Sequence, residues 1–142
     1  MDTHIDIDLD ANKEFADFLS NQITAFNMEH SAHYKENRKK GAVQPINIIV
    51  SDSKEAWVGG INADVYWGWV EINNFWCKDT YRNKGLGSLL LDKLEAIAKE
   101  KGAEKALLTT FEFQARAFYE KHGFQIVGEI KDYPPGAAII QW

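Results

Sequence analysis

The segment Arg82-Asn83-Lys84-Gly85-Leu86-Gly87 constrains this chain most, because it joins an apolar strand to a Leu-rich helix. Upstream, Val70 to Cys77 reads as a strand. Downstream, Leu86, Leu89, Leu90, Leu94, Ile97 and Ala98 recur at helical spacing, and Gly102 supplies a stop. The next apolar run, Lys105 to Thr110, completes a strand–helix–strand crossover, so the two strands should lie parallel in one sheet. The two glycines leave the first backbone N–H groups of the helix uncovered, and an anion can approach its positive end. Arg82 and Lys84 add mobile positive charge there. A pyrophosphate suits such a turn, and a plain tight turn with two solvated bases accounts for it equally well. The spacing of a P-loop is absent, as are the third glycine and distant acid of the dinucleotide fingerprint.

The remaining segments define the class. Ile5-Asp6-Ile7-Asp8-Leu9 alternates apolar and acidic residues, which predicts a half-buried strand over 4–9. Asp10 or Asn12 can cap a helix carrying Phe15, Phe18, Leu19, Ile23 and Phe26 on one face. Residues 27–40 read as a second, shorter helix and a loop. Strands are expected over Pro45 to Val50, Trp57 to Val65 and Trp69 to Cys77, with a turn at Ser51 to Glu55. Further along, Gln114 to His122 reads as a helix stopped by Gly123, and Phe124 to Ile130 and Ala137 to Trp142 as strands. The expected architecture is α/β (α+β mixed): one domain, residues 1–142, with a central mixed sheet of six or seven strands and helices on both faces.

Charge and composition exclude several classes. A net charge of −5 gives no electrostatic footprint for nucleic acid or an anionic membrane. No apolar stretch approaches the length of a membrane span, and the acidic N-terminus is no secretory signal. One cysteine rules out an internal disulfide and suits a reducing cytoplasm. His4, His30, His33 and His122 show no metal-ligand spacing, so no metal is expected. Five tryptophans leave a homodimer open, should Trp67, Trp69 or Trp142 be exposed.

A second segment, Phe118-Tyr119-Glu120-Lys121-His122-Gly123-Phe124, lies about thirty residues beyond the glycines. Together the two segments resemble the GCN5-related N-acetyltransferase (GNAT) superfamily. Its acetyl-CoA motif, Arg/Gln-x-x-Gly-x-Gly/Ala, is matched by Arg82, Gly85 and Gly87, and its Phe-Tyr-x-Lys-x-Gly-Phe landmark by Phe118 to Phe124. The tail Asp132-Tyr133-Pro134-Pro135-Gly136 further looks like a subgroup of small, mostly uncharacterised bacterial members. The resemblance implies acetyl-CoA as co-substrate, held through Arg82, Asn83, Lys84, Gly85, Leu86, Gly87 and Ser88. It also implies that main-chain groups of Phe75, Trp76 and Cys77, where the strand splays from its neighbour, bond the pantetheine arm. The family often has an asparagine shortly before the tyrosine; here Gln114 is the substitute donor. The implied acceptor is a small-molecule or peptide amine. A catalytically silent acyl-CoA-binding module and a nucleotide-binding domain with other chemistry are the rival readings.

Acetyl transfer to an amine needs a base for the amine and a proton donor for the leaving thiolate. A lysine-like amine titrates near ~10.4 and a thiol near ~8.5, so a phenol near ~10 stays protonated at neutral pH and can return a proton to sulfur. The family's motif places its tyrosine acid at Tyr119; a core aromatic is the plain alternative. Glu71, mid-strand where an isolated carboxylate is costly, is the candidate base, with Asn73 and Phe75 expected on its face by alternation. Glu112 is a weaker candidate, and a Glu paired or facing solvent is the plain alternative. Nucleophilic Cys77 is disfavoured because no histidine is near in sequence. Tyr133 and the basic Arg116 are outlying candidates for the acceptor side and a phosphate contact.

Overall fold

The computed structural model describes residues 2–142. It divides into two compact units, one reaching to Lys40 and one running from Gly41 to Trp142. The first holds α1 (Lys13–His30) and α2 (Ala32–Asn37). Asn12 begins α1 by accepting the Phe15 N–H at 3.0 Å, and Ser31 both ends α1 and caps α2 by accepting from the Tyr34 N–H at 3.1 Å. No residue of either helix is buried. The strand expected over 4–9 is not formed. Alternation specifies two faces, but a strand also needs a neighbour for its N–H and C=O groups, and none pairs with these residues.

The second unit carries seven strands. β1 (Gln44–Ser51), β2 (Trp57–Tyr66), β3 (Trp69–Cys77) and β4 (Lys105–Leu107) form one sheet in that order, with β3 and β4 parallel and the other pairs antiparallel. β5 (Thr109–Phe111), β6 (Gly128–Lys131) and β7 (Ala138–Gln141) form a second, in the order β5-β7-β6. The mixed architecture agrees with the expectation, but the single sheet of six or seven strands does not: the strand expected over 4–9 is missing, one expected strand is split in two, and the strands fall into sheets of four and three. The predicted strand Lys105 to Thr110 breaks at Leu108, whose carbonyl accepts from the Trp142 N–H at 2.9 Å and the Gln141 side-chain amide at 3.0 Å. The C-terminal strand captures the chain there and diverts β5 from β3. Sequence periodicity cannot register a break whose cause lies over thirty residues away.

Local chemistry explains the turns. Asp52 Oδ1 accepts from the Lys54 and Ala56 N–H groups, closing the β1–β2 connection. Trp67 and Gly68 both take positive φ, the conformation a two-residue hairpin between β2 and β3 requires. Between β3 and β4 runs α3 (Leu86–Glu100), the predicted crossover helix. Its Leu90, Leu91, Leu94 and Ala98 are buried against Ile46, Ile61, Ala63, Val65, Val70 and Ile72 of the sheet. Leu89, placed on that stripe by spacing alone, is half exposed, and Leu91 takes its place in the core. α4 (Arg116–Lys121) is shorter than its sequence pattern, because Ala115 before it is left-handed. Among the described residues no helix is long and apolar enough to cross a membrane.

Candidate active site

The site begins where β3 loses a neighbour. β4 pairs with β3 only from Trp69 to Glu71, and beyond Glu71 β3 is bonded on its β2 side alone. A bulge at the same place reinforces the divergence: Ala63 pairs with Ile72 and Asn62 with Asn74, leaving Asn73 extra. Main-chain groups of Phe75, Trp76 and Cys77 therefore face an opening rather than a strand. This is the splay that the sequence comparison implied for these three residues.

The opening is a cleft of about 390 Å³. Phe75, Trp76 and Cys77 form one wall, Arg82 and Gly87 the end, and Phe113, Gln114, Ala115, Phe118 and Tyr119 the other wall. Gly87 has a steric role here. A Cβ on it would sit 3.3 Å from Phe118 Cε2 and 3.8 Å from Phe75 Cζ, so the missing side chain lets two rings meet the first turn of α3. Those rings are edge-on, with centroids 5.7 Å apart. Phe113, Ala115 and Phe118 were not singled out as site residues from the sequence. The sequence signal for Phe118 was its place at the head of the Phe118 to Phe124 landmark, which did not show that its ring meets Gly87.

The helix start has the donors an anion needs. Gly85 precedes α3 with φ +83° and provides no side-chain cap. The first backbone bond of the helix runs from the Leu89 N–H to the Gly85 carbonyl, so the amides of Leu86, Gly87 and Ser88 are left to an outside partner. Asn83, also left-handed, shapes the approach. Arg82 is not the mobile charge expected of it: Nε donates to the Cys77 carbonyl at 2.7 Å and Nη1 pairs with Asp79 at 2.8 Å. It staples the end of β3 to the loop while still lining the cleft. Lys84 is exposed, without an ion pair among the described residues. Ser88 bonds His122 Nε2 through its hydroxyl at 2.9 Å, so its backbone amide rather than its side chain serves the cleft end. A diphosphate fits these donors, which are uncovered, convergent and flanked by a guanidinium.

Tyr119 is both things the sequence left open. It is a core aromatic, packed against Phe118, Phe124 and Trp142, and a cleft-lining residue. Burial pushes its phenol above the usual value, which keeps it protonated. Cys77 is shifted upward too, because burial outweighs the opposing pull of Arg82. A thiol so held is a poor nucleophile. Gln114 lines the cleft, but its side-chain oxygen accepts the Phe111 N–H at 2.7 Å, leaving only the amide N–H₂ as a donor.

Glu71 stands apart from the cleft wall. Its carboxylate accepts from the Tyr66 hydroxyl at 3.2 Å, and its Cα partner across the ladder is Asp64, which accepts from Asn73 Nδ2 at 2.9 Å. Phe75 packs against the core and does not share its face, because the bulge resets the alternation. Glu112 and Tyr133 do not line the cleft, and Arg116 is paired with Glu120 at 3.0 Å. A larger concavity of about 610 Å³ lies by Trp69, Glu95, Lys105 and Trp142, but it touches neither the uncapped helix start nor the splayed end of β3.

The splayed parallel strands, the glycine turn at the following helix and the tyrosine opposite meet in this one cleft. The match to known proteins is direct: residues 12–124 fit the model of the acetyltransferase (GNAT) family, and the chain belongs to that family. Over 79 residues it is 38% identical to blasticidin-S acetyltransferase of Streptomyces morookaense, an alignment covering 55% of this chain and 58% of that protein. The chain thus spans less than two thirds of that relative's length. A crystal structure of an acetyltransferase from Bacillus cereus superposes with TM-score 0.82 at 28% identity, over 98% of this chain and 94% of that one. A candidate streptothricin acetyltransferase from Bacillus anthracis, solved with acetyl coenzyme A, shares the fold at TM-score 0.60 and 24% identity, over 82% of this chain and 69% of that one.

Proposed function

We propose that this protein transfers the acetyl group of acetyl-CoA to an amine by direct attack in a ternary complex in the cytoplasm. The observation that carries the reading is the uncapped start of α3 opening into the cleft that Tyr119 lines. The amides of Leu86, Gly87 and Ser88, with Arg82, Asn83 and Lys84 around them, hold the diphosphate. Main-chain groups from Phe75 to Cys77 orient the arm along the free edge of β3. The co-substrate supplies an activated thioester carbonyl. Holding the amine beside that carbonyl converts an encounter between two molecules into a local event, which is the larger part of the rate.

The proton steps fall to two side chains. Deprotonating a lysine-like amine at pH 7 costs roughly 4–5 kcal/mol, so a base helps. Glu71 takes that proton through an intervening water, because its carboxylate sits on the sheet face rather than in the cleft wall. Tyr119, with its phenol held protonated by burial, donates to the departing sulfur. The acceptor is a small-molecule or peptide amine.

A second reading, a silent acyl-CoA-binding module, is favoured by one observation: Glu71 is engaged by Tyr66 and outside the cleft lining. An amine panel that includes blasticidin S, streptothricin, polyamines and peptide N-termini, followed by free-thiol release, separates the two. Under the transferase reading at least one amine turns over, and Tyr119→Phe lowers kcat by about 10²–10³ with CoA affinity retained. Tight CoA binding without turnover on any amine supports the module, and competition by ATP points instead to a nucleotide site.

A further inference from the structure

We propose, on the reading that the start of α3 holds the diphosphate, that His122 is a positioning residue for the transfer: through Ser88 it fixes the aim of the amides of Leu86, Gly87 and Ser88. Those amides need a brace from outside the helix. Asn12 and Ser31 cap their helices with side chains, but Gly85 has none to offer α3. A Cβ built on Gly85 meets nothing within 4 Å, so no packing at that residue holds the turn either. The hold comes from α4 and its last turn. The Ser88 hydroxyl and His122 Nε2 are 2.9 Å apart in a part-buried hydrogen bond across 34 positions of sequence. The His122 ring lies 4.5 Å from the Phe118 ring, centroid to centroid, and Phe118 in turn closes on Gly87. Gly87 and Ser88 are consecutive, so the two contacts resist both sliding and turning of that segment. His122 is itself anchored, its N–H bonding the Phe118 and Tyr119 carbonyls at 3.2 Å. All these residues belong to the unit from Gly41 to Trp142.

The bond also decides what Ser88 offers an anion. A serine in the first turn of a helix can aim its hydroxyl at a phosphate or back at the preceding backbone. Bonded to His122, this hydroxyl is committed, and the backbone amide is the donor that remains. Without His122 the hydroxyl competes with the amides beside it, and their convergence is lost. A diphosphate contact is made alike in the ground state and the transition state. His122 therefore acts on the affinity and KM for acetyl-CoA rather than on kcat. The landmark Phe-Tyr-x-Lys-x-Gly-Phe leaves position 122 unspecified, and the contact to Ser88 is what gives the histidine its role.

Calorimetric CoA titration of the full chain, well below its melting temperature, tests this in a cycle of Ser88→Ala, His122→Phe and the double variant. Phenylalanine keeps a ring beside Phe118 and lacks the bond. Each single change should weaken CoA binding by about threefold to tenfold, and the double should fall within about twofold of the weaker single. His122→Gln, whose amide reaches the place of Nε2, should stay within about twofold of the parent. On an amine that turns over, KM for acetyl-CoA should rise by the same factor at unchanged kcat. A merely structural contact would lower Tm in all three variants of the cycle and leave CoA affinity at the parent's value. That outcome overturns the proposal, as does full additivity in the cycle or failure of His122→Gln to keep affinity. Tighter binding by His122→Phe overturns it too, since a freed Ser88 hydroxyl would then be meeting the phosphate. A parent chain that binds no CoA refutes the reading of the helix start itself, and the proposal with it.

Discussion

Gly85 and Gly102 stand at opposite ends of α3, and the pair isolates what the helix start contributes. Both take left-handed φ, +83° and +93°, and a Cβ built on either meets nothing within 4 Å. Alanine at either position therefore incurs the same single cost, the unfavourable backbone region, of about 1–2 kcal/mol. For a chain of this size that corresponds to a fall of about 3–8 °C in Tm. Asparagine tolerates the left-handed region better and should lose about half as much. The functional consequence differs. Relief of the strain at Gly85 re-aims the uncapped amides that follow it, so CoA affinity should fall by about tenfold or more. Gly102, at the far end, should leave affinity unchanged. Thermal melts with calorimetric CoA titrations of four variants (Ala and Asn at each site) read both effects. If Gly102→Ala weakens CoA binding as much as Gly85→Ala, or if Gly85→Ala destabilises without altering affinity, the helix start does not hold the cofactor.

Three other expectations concern single groups. Cys77→Ala should retain at least about half of the transferase activity, since burial holds the thiol protonated; loss of turnover with a trapped acetyl-cysteine would reverse this. Thr110→Val removes the hydroxyl that accepts the Trp142 indole N–H at 2.8 Å in the core, and should cost about 1–3 kcal/mol in denaturant unfolding. Tyr119 titrates higher in the folded chain than unfolded, so its contribution to stability is fully present below about pH 10 and is lost as pH rises past it. Alkaline melts of the parent and Tyr119→Phe should accordingly converge, with the parent losing more stability above pH 10.

Much of the site was legible because it is local. Arg82 to Gly87 follow an apolar strand and precede a helix, and backbone rules alone place uncovered amides there. Tyr119 was readable from its motif, and the cleft residues Phe75 to Cys77 from their place at the end of β3. What failed was whatever needed a distant partner. Glu71 and Phe75 were assigned to one face by alternation, and the bulge at Asn73 separates them. Arg82 was expected to be mobile, and its bond to the Cys77 carbonyl fixes it.

Taken by itself, the sequence determined the crossover, the glycine turn and the identity of the helix that follows, since these follow from periodicity and the φ range each residue tolerates. Only the tertiary structure decided that Lys105 to Phe111 serves two sheets, that Leu108 is held by the last residues, and that Phe118 closes over Gly87. Those outcomes depend on backbone bonds and ring contacts between residues over thirty positions apart. No local pattern encodes them, because each residue's own preferences are satisfied equally well without the partner that fixes its place.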